Sequence, residues 1–417
     1  MTQDETAATS GTKQPRYLLI CNTADGLIAQ VNGVIVQLQL ARRLGLVPIV
    51  QLHQRSNMFG AENPYFEQTR GANVWEYYFE PIGVAEDELT RLVQSGQVLT
   101  LANASELLRL FRWETGSWFM NAYGYFRSVQ NCADGPYPQD WWLGQRRKVR
   151  AFIADGTMRV TKAIVDQADT FAARNFSGKT LGLQLRGSDK FDFGVGPNLS
   201  RKVTPEEYFP HIDRYLAENP DCTRIFVATD QRQWLKLLEQ AYPGKILSFS
   251  EWSLSDSEGN SFNAAHEKGA RGAEVLVDAL LLARCSYLIK CHAGVGEMAL
   301  VLNPDLDFLD LNYAEQPYRA RKSRAHPLLA ATIKATCAVW RAAAERGFAL
   351  ARVESFENGE VVVKGGGALN VKPSAKIKAA RPPVLSRRFL SDGTAWALRA
   401  LDGKCFAYEA SGVADRL

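Results

Sequence analysis

Between residues 181 and 311 the chain alternates short apolar runs with helical patterns. LGLQLR (181–186), RIFVAT (224–229), KILSF (245–249), SYLIK (286–290) and DFLDL (307–311) read as strands. Helical periodicity fills the gaps from Pro205 to about Glu218, from Gln231 to Tyr242, near 272–284 and from Gly294 to Leu302. Strands that are apolar on both faces and separated by single helices require a parallel sheet covered on both sides, because each crossover must carry the chain back to the same sheet edge. The expected class is therefore α/β.

The N-terminal end carries a second unit of the same kind. YLLICN (17–22) reads as a strand, QVNGVIVQLQLARRL (30–44) as an amphipathic helix and Leu46–Gln51 as another strand. Residues 147–174 form one helical connector by pattern. From about 350 the text changes to short alternating segments divided by Asn358-Gly359, Asp392-Gly393 and Asp402-Gly403, which are hairpin signals. The organisation expected is a tail over 1–15, an N-terminal α/β domain over 16–168, a second α/β domain over 169–348 and a small β-rich module over 349–417.

Composition excludes several classes. With 46% hydrophobic and 23% charged residues the chain is globular, and it has no apolar run long enough to span a bilayer. Seven scattered cysteines without a CxxC pair argue against structural zinc and for reduced thiols, hence a cytoplasmic setting. A net charge of +4 is too small to argue for nucleic acid. The basic stretch 364–388 is the one candidate for contact with an anionic surface, such as the face of a membrane; a solvated linker is the simpler reading.

In an open parallel sheet, ligands bind beyond the carboxyl ends of the strands, so polar residues just past those ends are the candidates. Arg186 leaves the first strand of the second unit, followed by Gly187, Ser188, Asp189 and Lys190. A guanidinium there can hold a phosphate by parallel hydrogen bonds; an ion pair with Asp189 would make it merely structural. Thr229 and Asp230 leave the next strand. Asp278 interrupts an apolar helix, where a carboxylate needs a hydrogen-bonding partner such as a base or ribose. His292, Ala293, Gly294 and Val295 lead from a strand into a helix, a setting for phosphate. Gly26 stands in the corresponding turn of the first unit. Trp75, Tyr77 and Tyr78, in an aromatic stretch, are acceptor-side candidates, with core packing as the alternative.

Taken together, Q-x-R-x-x-D-K (184–190), P-E-E-Y (205–208), V-A-T-D (227–230) and G-x-x-V-L-x-D-x-L-x-L (272–282) resemble the nucleotide-binding half of the GDP-fucose-dependent fucosyltransferases, the α1,6 enzymes above all. The resemblance covers about 180–311 and extends weakly to Gly26 and Gln30. It implies a GT-B fold, with two facing Rossmann-like domains, and inverting transfer from GDP-fucose to a glycan, glycolipid or protein without a metal. By position Arg186, assisted by Lys190, would bind the departing diphosphate, Asp278 the guanosine, and the turn from His292 to Val295 the diphosphate; Gly26, Gln30 and Asp230 would stand on the donor side. The pattern departs from the family at four places. Gln184 replaces a usual histidine, Gly187 replaces a second arginine, glycine around 294 replaces a serine, and the general base falls on Gly194, leaving Asp192 or Asp189 for that role. Another nucleotide sugar, or a non-catalytic binding module, is the rival reading. Asp305-Leu306-Asp307 spells a metal-binding D-x-D, but at the entrance of a strand, the wrong end for a donor cleft.

Overall fold

A computed structural model describes residues 16–23, 26–56, 62–103, 106–107, 110, 139–187, 203–250, 253–256, 268–291, 293–311, 349–357, 359–364 and 367–368. The first unit runs β1 (Tyr17–Ile20), α1 (Leu27–Leu44), β2 (Val47–Val50), α2 (Glu86–Gln94) and β3 (Val98–Leu101), with β1 paired in parallel to both β2 and β3. Helix α1 stops at Gly45, whose φ of 64° turns the chain while its N–H returns to the carbonyls of Ala41 and Arg42. The helical connector is broken in two: α3 (Gln139–Ala154) and α4 (Lys162–Asn175) are separated at Gly156, where φ is 76°. The apolar periodicity runs across that break, which is why one helix was expected.

The second unit contains β4 (Lys179–Leu185), α5 (Pro205–Glu218), β5 (Cys222–Thr229), α6 (Arg232–Ala241), β6 (Ile246–Leu247), α7 (Lys268–Leu282), β7 (Tyr287–Lys290), α8 (Gly294–Leu302) and β8 (Phe308–Asp310). Each start has a local cause. Thr204 and Glu207 form a capping box around Pro205 at the head of α5, satisfying donors the helix cannot satisfy itself. The five strands form one parallel sheet in the order β6-β5-β4-β7-β8. The chain thus builds outward from β4 through β5 and β6, then returns to add β7 and β8 on the other side. The direction reverses between β4 and β7, and there the two flanking connections diverge and leave a crevice. Leu181, Leu183 and Leu185 on one face of β4 are fully buried, and Gly182 on the other brings the end of α7 close, since a Cβ there would lie 3.0 Å from the Cys285 sulfur.

The hairpin β9 (Leu350–Glu357) and β10 (Glu360–Val363), followed by β11 (Gly367–Ala368), turns at Gly359, where φ is 80°. Strand β9 pairs antiparallel with β3, so these strands extend the first sheet to the order β11-β10-β9-β3-β1-β2. Of the small β-rich module expected over 349–417, these strands are the part that falls within the described residues, and Val353, Phe356, Val361 and Val363 share a core with Leu19, Cys21, Ile49 and α2. Their alternating apolar face needs a partner layer, and the first sheet supplies it. The largest core cluster is also continuous across residue 168, joining Ile28, Val31 and Tyr78 to Leu276, Met298 and Leu300. No helix among the described residues is long and apolar enough to cross a membrane.

Candidate active site

An open cleft of about 570 Å³, solvent-side space included, lies at the carboxyl ends of β4 and β5, against α7 and α8. Gln184, Leu185 and Arg186 enter it from β4, and Ala228, Thr229 and Asp230 from β5; Ser253, Arg271, Val275 and Asp278 close one side, and Val295 and Tyr65 complete the lining. This is the place that topology assigns to a ligand.

Arg186 is held by the neighbouring strand. Its Nε stands 3.2 Å from Asp230 Oδ2, while Asp230 Oδ1 accepts the Gly187 N–H at 2.8 Å. Asp230 therefore fixes both the side chain and the backbone at the exit of β4. The Asp189 pairing weighed from sequence falls outside the described residues, as do Lys190, Asp192 and His292. Gly187 has a steric reason for being glycine, because an added Cβ would lie 2.5 Å from Gln231 Cγ and 3.0 Å from the Trp234 ring. A second arginine there would have to displace Gln231 and Trp234.

Asp278 projects from α7 into the cleft and is 5% exposed. Its Oδ2 accepts the Ser250 hydroxyl at 2.6 Å, whereas Oδ1 has no hydrogen-bond partner among the described residues. Burial pushes this carboxyl well above the usual carboxylate range and Glu274 adds to the shift, against the pull of Ser250. A buried acceptor left open at a cleft wall is a site waiting for an N–H or O–H donor.

Two helix N-termini meet here. Ala293 is the N-cap of α8 and offers no side-chain cap; Gly294 touches α1, since its Cβ would lie 3.1 Å from Ile28 Cβ. Gly26 caps α1 likewise without a side chain, and nothing lies within 4 Å of a Cβ placed on it. The Tyr65 hydroxyl accepts the Leu27 N–H at 3.0 Å. Such helix starts turn backbone N–H groups and the positive ends of two dipoles toward the same region.

Beneath α8 lies a buried ionic network. Lys290, with no exposed surface, contacts Asp310 at 2.6 Å and Glu297 at 2.7 Å, and Glu297 receives Arg146 at 2.7 Å. Burial opposes the charge on Lys290, but the two carboxylates overcome it and raise the ammonium to about 12. Glu297 sits in the first turn of α8, so this network anchors the helix whose N-terminus faces the cleft. Gln184 lies just above it: its Oε1 is 3.7 Å from the Cys291 sulfur, and a Cβ on Gly296 would approach that oxygen to 3.1 Å.

Four expected residues have other roles. The Gln30 amide makes a reciprocal pair with the Asn63 amide, 3.0 Å in each direction, and so ties α1 to the 62–66 segment. Trp75 stacks on Phe79 at 4.2 Å and donates to the Glu80 carbonyl. The Tyr77 hydroxyl bonds the carbonyls of Glu67 and Gly71. Tyr78 donates to the Gly269 carbonyl and fills the space over Gly272. All three aromatics are buried, so they present no surface to an acceptor; their polar tips have backbone partners that sequence does not reveal. Tyr65, Arg271, Ser250 and Ser253 were missed. Arg271 lay outside the helix expected to begin near 272, and the i, i+7 spacing that sets it on the same face as Asp278 becomes visible once α7 begins at Lys268.

Among solved structures, this chain is similar to the NodZ alpha-1,6-fucosyltransferase soaked with GDP-fucose, at 15% identity and a TM-score of 0.40 over 73% of this chain and 98% of that one. The fucosyltransferase NodZ from Bradyrhizobium is similar at 14% identity and a TM-score of 0.39, covering 70% and 94%. POFUT1 in complex with GDP is similar at 9% identity and a TM-score of 0.39, covering 72% and 98%. No family model and no curated protein matches. These neighbours include the enzymes that the sequence motifs resemble.

Proposed function

We propose that this chain is a glycosyltransferase of GT-B arrangement that transfers fucose from GDP-fucose to a hydroxyl of a glycan, glycolipid or protein, with inversion and without a metal. The observation that carries the reading is Arg186, fixed by Asp230 at the reversal point of a parallel sheet and sharing its cleft with the half-satisfied Asp278. Asp278 Oδ1 would accept from the guanosine. The uncapped starts of α1 and α8 and the Arg186 guanidinium would face the diphosphate. In the transfer step an acceptor oxygen attacks the anomeric carbon and gives its proton to a carboxylate, Asp192 or Asp189. The bond from that carbon to the β-phosphate oxygen breaks, and its electron pair leaves with the diphosphate, whose growing charge Arg186, with Lys190, offsets. Metal independence belongs to the proposal because fixed cationic groups can play that part, and the D-x-D carboxylates Asp305 and Asp307 are exposed at the entrance of β8, away from the cleft.

A second donor is the alternative reading, favoured by Gln184, which lines the cleft with an amide where the resembled family carries a histidine. The deciding experiment is thermal stabilisation of the purified chain by GDP, UDP, ADP and CMP, followed by donor turnover with the sugar nucleotide of the best ligand, with and without a chelator. Selective stabilisation by GDP, with turnover that survives the chelator, is expected. Indifference to all four nucleotides would sink the reading.

A further inference from the structure

We propose that Ser250 is a positioning residue for recognition of the donor's base: its hydroxyl fixes the Asp278 carboxyl so that a single oxygen, Oδ1, is offered to a nucleobase N–H. The assignment rests on the donor-binding reading above and deepens it. Ser250 lies three residues past β6, at the same carboxyl edge of the sheet as Arg186 and Asp230, and both Ser250 and Asp278 are buried. A carboxyl group turns readily about the bond that carries it and so trades its two oxygens. The 2.6 Å hydrogen bond from Ser250 to Oδ2 gives it one orientation, and Oδ1 is the atom left without a partner among the described residues.

The chain on either side holds Ser250 in place. Phe249 packs edge-on against Phe171 of α4, with ring centroids 5.5 Å apart. Further along, the Ser253 N–H reaches Glu274 Oε2 at 2.8 Å, while Ser255 donates its N–H to the Asp230 carbonyl at 2.9 Å and accepts the Arg232 N–H at 3.0 Å. Ser250, Ser253 and Ser255 thus tie the helix that carries Asp278 to the strand exit whose Asp230 steadies Arg186.

Ser250 also acts on charge. Burial and Glu274, one turn back on α7, both disfavour an ionised Asp278, and the Ser250 hydroxyl works against them. The other charged groups lining the cleft among the described residues are Arg186 from β4, Asp230 from β5 and Arg271 from α7. An N–H bonds a carboxylate more strongly than a neutral acid. A hydroxyl that favours the ionised form therefore strengthens the contact made at Oδ1 while itself bonded to Oδ2.

The test separates positioning of the base reader from general support of the cleft. Wild-type chain, Ser250→Ala, Asp278→Asn and the double variant are titrated calorimetrically with GDP and with inorganic pyrophosphate, alongside thermal melts; where UDP or ADP is the preferred nucleotide, it takes the place of GDP. The expected result is a loss of about tenfold in nucleotide affinity in Ser250→Ala, the worth of one hydrogen bond to a charged group. Pyrophosphate should bind as it does to wild type, and the loss should vanish in the Asp278→Asn background, because Ser250 acts through that carboxyl. An equal loss for pyrophosphate, a loss that persists beside Asp278→Asn, or no loss overturns the assignment. Where pyrophosphate binds too weakly to titrate, the double variant decides. Should Ser250→Ala fail to fold, Ser250→Cys decides by the same comparisons, because a thiol is a weak donor of similar size. If wild-type chain binds none of the nucleotides, the donor-site reading itself falls; if it binds and Ser250→Ala binds equally well, only the role of Ser250 does.

Discussion

The cleft wall on α7 and the network beneath α8 both bury ionisable side chains within one sheet's reach, and they do so in opposite ways. Lys290 meets two carboxylates, and one of these is shared with Arg146. Asp278 has one hydroxyl on one oxygen and nothing on the other among the described residues. A buried charge that is fully paired does its work in the folded chain alone; a buried acid held neutral with one oxygen unbonded keeps an unfavourable term that a ligand's hydrogen bond can remove. The contrast accords with structural support in the first region and with the binding role proposed for the second.

The largest effect should come from breaking the supported side. Lys290→Met removes the ammonium between Asp310 and Glu297 and leaves both carboxylates buried, which should cost about 3–5 kcal/mol and lower the melting temperature sharply. A melt near wild type would erase the distinction between the regions. The lysine's raised pKa gives the same contrast a pH axis. Its contribution should be complete below the ordinary lysine range and disappear as pH climbs through about 12. Next in size is Arg186→Ala. Loss of one fixed donor to the leaving group should raise the barrier by about 3–4 kcal/mol, a roughly hundred- to thousandfold fall in transfer, with an unchanged melt. Turnover like wild type would remove Arg186 from the chemistry. Gly187→Ala is smaller: crowding against Gln231 and Trp234 should cost about 1–3 kcal/mol of stability and displace the Arg186 loop, which a melt and a transfer assay would register together.

Sequence revealed the regions unequally, for a physical reason. The alternation of β4, β5, β7 and their helices was legible because parallel strands and amphipathic helices write their burial into local periodicity, and α8 falls at Gly294–Leu302 as the pattern indicates. Asp278 and Arg186 stood out since each sets a charge against an apolar run. What remained hidden depends on residues distant in the chain. The partner of Arg186 is Asp230, 44 positions further on, and Gln30 pairs with Asn63, 33 positions away. Arg146 reaches Glu297 across 151 positions. The joining of β9 to β3 is also long-range; its alternating pattern predicted strands but not which sheet would receive them.

The smallest change in stability, and the sharpest test of the contrast, is Asp278→Asn. An acid whose folded pKa is raised stays protonated in the native chain while the unfolded chain loses its proton near pH 4, so the native state loses stability as pH rises above that point. The amide cannot ionise and escapes this penalty. The variant should therefore melt at or above wild type at neutral pH, with the difference shrinking as pH falls toward 4, while Lys290→Met remains destabilised at both. Nucleotide affinity should fall, by about tenfold, since a nucleotide N–H donor would favour ionisation of the wild-type acid and meet a carboxylate, whereas an amide cannot ionise. A variant that melts well below wild type at neutral pH, with nucleotide affinity intact, would make Asp278 a structural anchor like Lys290 and dissolve the division on which the site assignment stands.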